Sequence, residues 1–155
     1  MIDLYLELRS LILQLNRREI PYALCGGLSL AVHGIPRATL DIDLLIPEES
    51  LSPLRGLAAA LGYQIEAGWL NLAGGVVKMF RVTKMDNEVD ETLPLDMILV
   101  TPSLEIAWST REKVRWEGED LWVVSREGLM AMKSLRGSGQ DQDDLKKLKD
   151  PGNED

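Results

Sequence analysis

Gly26 and Gly27 close a short apolar run, and thirteen residues further on stand Asp41 and Asp43, two carboxylates one residue apart. A glycine pair between a strand and a helix lets backbone amides close on an anion, and the helix start itself favours negative charge. Two aspartates on one face of a strand repel each other unless a cation lies between them. A third acid, Asp96, interrupts the apolar stretch 93–100, where nothing about packing asks for a charge. If the two acidic strands are neighbours, Asp41, Asp43 and Asp96 converge into a ligand set for hard divalent cations, with positions left open for phosphate oxygens and water. Taken singly, each feature has a plainer meaning: an ordinary turn, a solvated strand face, an acid at a loop edge beside Pro94. Taken together at this spacing they point to phosphate and a divalent metal.

The elements that must position these groups are legible as patterns. Residues 22–25 form a compact apolar strand, and 28–32 read as the first turns of a helix, with Ser29 placed to add a hydroxyl donor and His33 in the closing turn. Residues 40–46 alternate, so Asp41 and Asp43 project from one face while Leu40, Ile42 and Leu44 pack on the other. Pro94 places the start of the next acidic strand at a strand entry or sheet edge. Leu4, Leu8, Leu11, Ile12 and Leu15 recur at helical spacing, and Leu51, Leu54, Ala58 and Leu61 mark a second helix stopped by Gly62. Strands are expected at 63–67, 76–82 and 95–100, and a hairpin at 113–116 and 121–124. Ser125 caps a helix carrying Leu129, Met130, Met132, Lys133 and Leu135. The expectation is an α/β (α+β) chain with a mixed sheet, a single domain over 1–149, and a disordered tail over 150–155.

Composition narrows the chemistry. The 155 residues are one domain's worth, with 17 Lys and Arg against 25 Asp and Glu for a net charge of −8. That balance counts against a nucleic acid partner, although Arg111, Lys113 and Arg115 cluster before the hairpin turn. A single histidine argues against zinc, and Cys25 as the only cysteine excludes an internal disulfide and reads as a core residue. No apolar run is long enough to cross a bilayer and no signal peptide is apparent, so a cytoplasmic location is expected. The four tryptophans read as core and hairpin packing rather than as base-stacking platforms.

The order Gly-Gly, thirteen residues, Asp-x-Asp and then a lone strand aspartate resembles the nucleotidyltransferase fold superfamily, which includes DNA polymerase beta and kanamycin nucleotidyltransferase. The longer string Gly26-Gly27-Leu28-Ser29, His33-Gly34, Arg37-Ala38-Thr39 and Asp41-Ile42-Asp43 is similar to the AbiEii-like branch, which includes toxins of toxin-antitoxin and phage-defence systems. In that branch a helical lysine precedes an Asp-x-x-Asp-Leu motif, and Lys133 with Asp141 to Leu145 falls on that pattern. The resemblance implies transfer of a nucleoside monophosphate from a nucleoside triphosphate to an acceptor hydroxyl, with Mg2+ or Mn2+ as cofactor. It implies that Gly26, Gly27, Ser29 and Lys133 hold the triphosphate, that Asp41, Asp43 and Asp96 hold metal and do the catalysis, and that Asp141 supports the site. Arg37 would touch phosphate, and Arg37 and Thr39 would orient the loop leading to Asp41. The acceptor is left open among a small molecule, a protein and a tRNA. Two departures bear on this: Gln140 stands where the branch often has a basic residue, and the chain ends soon afterwards at Asp155, shorter than many relatives. The contrasting reading is a regulatory or antitoxin module that binds nucleotide and acts through a cognate protein partner. For Lys133 the contrasting reading is a lysine on a solvated amphipathic helix.

Overall fold

Alternating and helical apolar periods give fourteen-residue α1 (Leu4–Arg17), three-residue β1 (Ala23–Cys25) and seven-residue α2 (Gly26–Val32) at the start of the chain. β2 (Ile42–Ile46), α3 (Leu51–Ala60), β3 (Ile65–Leu72), β4 (Val77–Asp86) and β5 (Glu91–Leu99) follow. The chain continues through α4 (Glu105–Ser109), the hairpin β6 (Glu112–Trp116) and β7 (Glu119–Val123), then α5 (Arg126–Arg136) and α6 (Gly139–Lys149). A computed structural model describes residues 1–36, 38–136 and 139–149, with the side chains of 136 and 139–141 left aside. The expected tail at 150–155 lies outside the described residues.

The seven strands form one mixed sheet in the order β3-β4-β5-β2-β1-β7-β6. β2 runs parallel to β5 and antiparallel to β1. Period-2 alternation then sends side chains to two separate cores. On one face Ile42, Leu44, Phe80, Val82, Leu95 and Met97 pack against α1 and α3, whose Leu11, Ile12, Leu15, Leu54 and Leu57 are buried there. On the other, Ala23, Leu45, Met79 and Ile98 pack against α4, α5 and α6 through Ala107, Leu129, Met132 and Leu148. Ser125 caps α5 as expected, accepting from the Gly128 amide at 3.0 Å. The hairpin turns at Glu117 and Gly118, both at positive φ, which suits a two-residue connection between twisted strands.

Several expectations change. β2 begins at Ile42, so Asp41 lies in the bend before the strand and Leu40, expected to pack, is 85% exposed. Pro94 sits inside β5, a central strand, but pairing with β2 starts only at Leu95, so one side of β5 is still open at the proline. β3 runs past Ala67 to Leu72, crossing Gly68 by a register shift that restores pairing with β4. Two of the tryptophans carry basic groups: Arg111 lies 3.8 Å over Trp108 and 4.9 Å over Trp122. Trp116 and Trp69 make edge contacts with Tyr5 and Phe80, in keeping with packing roles. Among the described residues no helix is long and apolar enough to cross a membrane.

Candidate active site

One row of the sheet carries three charged residues. Across five strands the register partners run Gly68, Arg81, Asp96, Asp43 and Cys25. The adjacent row on the same face is Leu70, Met79, Ile98, Leu45 and Ala23, wholly apolar and packed into the α4–α5–α6 core.

Because β2 and β5 are parallel neighbours, Asp43 stands directly beside Asp96, and Asp41 joins them from the bend before β2. Each of Asp41, Asp43 and Asp96 offers an oxygen within 4.8 Å of the others. The Thr39 hydroxyl lies 3.2 Å from Asp41 Oδ1 and donates to it, which orients that carboxylate. β1 delivers the glycine turn to the same place. Gly26 has φ +68°, and a Cβ there would lie 2.0 Å from Asp43 Oδ2, so only glycine lets this turn rest on the carboxylate. Gly27 is buried behind it, and no side-chain hydrogen bond caps the start of α2. The Ser29 hydroxyl turns inward, donating to the Gly26 carbonyl at 2.6 Å, and so fastens the turn instead of facing outward.

Lys133 comes to this turn from α5. It is 4% exposed and lines a small cavity with Cys25, Gly26, Asp43, Ile98, Leu129 and Met132, which rules out a solvated helix face. Its Nζ lies 3.2 Å from Oδ2 of Asp144 on α6, itself fully buried. The backbone of Asp141 belongs to α6 while its side chain lies outside the described residues, and so does Arg37 altogether.

Two site residues escaped the sequence reading. Arg81 donates from Nε to Asp96 Oδ1 at 2.7 Å and from a terminal nitrogen to Oδ2 at 3.0 Å. The hydrogen bond to Asp96 holds its guanidinium pKa above the usual arginine value, opposed by burial and reinforced by the charges of Asp96, Asp41 and Asp43. Its signal was available: a charge amid Met79, Phe80 and Val82 is as unexpected as Asp96 in its own strand. Asp144 stood in the same motif as Asp141, and only the packing of α6 on α5 brings it to Lys133.

The carboxylates fit a hard cation. The donors are all oxygen, they converge without any histidine or thiolate, and Asp41 and Asp43 are half-buried rather than sealed.

No protein-family model matches the sequence, and no curated protein matches it. Solved structures do. A candidate nucleotidyltransferase of Thermotoga maritima superposes with a TM-score of 0.59 at 15% identity, covering 95% of this chain and 93% of its own. The antibiotic-resistance factor ANT(2'')-Ia matches in its complex with adenylyl-2''-tobramycin, with a TM-score of 0.61 at 15% identity over 94% of this chain and 86% of its own. A solution structure of ANT(2'')-Ia gives 0.59 at 16% identity, over 94% and 82%. The AbiEii-like branch is not singled out by these likenesses. At such identities they establish the fold alone, and that fold is the one shared with nucleotidyltransferases.

Proposed function

We propose that this chain transfers a nucleoside monophosphate from a nucleoside triphosphate to an acceptor hydroxyl and releases pyrophosphate. The observation that carries this reading is the register of β2 against β5, which sets Asp43 beside Asp96 at the mouth of the Gly26 turn. Mg2+ or Mn2+, held by Asp41 and Asp43 with Asp96 close by, would neutralise phosphate charge and orient the triphosphate when bound. The Gly26–Gly27 turn offers its amides to the phosphates, and Lys133, fixed by Asp144 beside that turn, adds positive charge. Asp96 accepts the proton of the acceptor hydroxyl as its oxygen bonds to the α-phosphorus and the bond to the β-phosphate bridging oxygen breaks. The protein contributes position and electrostatics and needs no covalent nucleophile of its own. The complex of ANT(2'')-Ia with an adenylylated product supports the reaction class on a shared fold. The net charge of −8 favours a neutral or cationic acceptor over a polyanion.

Titration calorimetry tests the site. ATP and the other triphosphates are titrated with and without Mg2+, and at least one should bind only weakly until the cation relieves the carboxylate repulsion. Equal affinity in both conditions would remove the metal-bridged site.

A further inference from the structure

Asp96 already has a cation of its own. Arg81 engages both oxygens of Asp96 with one planar fork, at 2.7 and 3.0 Å. The pair is built into the sheet, since Arg81 and Asp96 are direct register partners on β4 and β5. Asp96 is 2% exposed, so the fork takes the place that water holds around a surface carboxylate. Asp43 lies on the other side of Asp96 in the same row, and Asp41 has a neutral hydroxyl partner in Thr39.

We propose that Arg81 is the resident counter-cation of Asp96 and keeps it out of metal coordination in the nucleotide-free protein, which therefore holds one divalent cation, on Asp41 and Asp43. The inference rests on the metal reading given under Proposed function and narrows it. A guanidinium on both oxygens competes with a divalent ion for the same carboxylate, and its charge opposes a second positive centre close by. Asp96, oriented by Arg81, retains lone pairs beyond the two that the fork engages for the acceptor hydroxyl.

The test is Mn2+ alone, titrated into the full chain while free Mn2+ is counted by electron paramagnetic resonance. The parent should bind one Mn2+, and Asp43→Asn should lose most of that affinity. Asp96→Asn should weaken binding by no more than about tenfold, the effect of one nearby charge lost, because Asp96 is not yet a ligand. Arg81→Gln frees Asp96 and should tighten Mn2+ binding by about tenfold or more, the size expected when one nearby charge is removed at partial burial. Arg81→Lys, which keeps the charge, should stay near the parent. The double variant Arg81→Gln/Asp96→Asn leaves no unpaired buried charge and should lose the gain, which separates coordination from misfolding. Near-ultraviolet circular dichroism checks each variant's fold. A loss in Asp96→Asn as large as that in Asp43→Asn, or no gain in Arg81→Gln, would overturn the inference while leaving an Asp43-dependent metal site in place. No Mn2+ binding by the parent at millimolar concentration would overturn both.

Discussion

Asp43 and Asp96 are partners in register, yet they face different tasks. Asp43 lies against the Gly26 turn, so Asp43→Asn should damage binding of the metal-triphosphate and transfer together. Asp96→Asn keeps shape and removes charge, and should leave triphosphate binding within about tenfold while cutting transfer at least about a hundredfold. Titrations and transfer rates on the same preparations check the split, and an Asp96→Asn protein that transfers at the parent rate would remove Asp96 from catalysis. Gly26 is the least replaceable residue of the turn. Gly26→Ala adds a Cβ 2.0 Å from Asp43 Oδ2 at φ +68°, so it should cost about 1–2 kcal/mol from backbone strain alone and abolish triphosphate binding by displacing the carboxylate. Denaturant melts and calorimetry read the two effects separately. The three acids and the glycines were legible because each breaks a local pattern. Arg81 broke its pattern as well, but its meaning lay in the strand beside it, which no local pattern names.

The elements were read more fully than their pairing. Apolar period placed α1, α3, β4, β5 and the hairpin, and the Ser125 cap located the start of α5. The short α4 and the extension of β3 through Gly68 were missed, since five residues carry little period and a glycine with a register shift looks like a strand end. Sheet order is a matter of long-range contact, so the adjacency of β2 and β5 could be expected only as a condition. The contact of α5 with α6 supplies a test at this scale. Lys133→Ala removes the buried cation 3.2 Å from Asp144 and should cost about 3–5 kcal/mol, whereas Lys133→Ala/Asp144→Ala should recover part of that loss. Denaturant unfolding of the two singles and the double measures the coupling. Among folded preparations, Lys133→Ala should weaken triphosphate binding more than monophosphate binding, and equal losses would make the lysine purely structural.

At the scale of the molecule, two cores on opposite faces hold the sheet, and buried tyrosines tie α1 to one of them. Burial pushes the Tyr22 hydroxyl up to about 12, and burial together with the Glu7 charge raises Tyr63 as well. Folded-state values above the ordinary tyrosine value mean stability that is complete below pH ~10 and is lost as pH rises toward ~12, about 3 kcal/mol for Tyr22 alone. Alkaline titration should therefore show these phenolates, followed at 295 nm, appearing together with the loss of helical circular dichroism; ionisation well before unfolding would contradict the burial argument.

The central claim concerns which phosphorus is attacked. The chain is incubated with Mg2+, a cell extract and each nucleoside triphosphate labelled either at the α- or at the γ-phosphate, beside an Asp43→Asn control. The account predicts that an acceptor gains the α label and never the γ label, that pyrophosphate is released in step, and that the control transfers neither. Transfer of the γ label, or equal α labelling by the parent and Asp43→Asn, would contradict it.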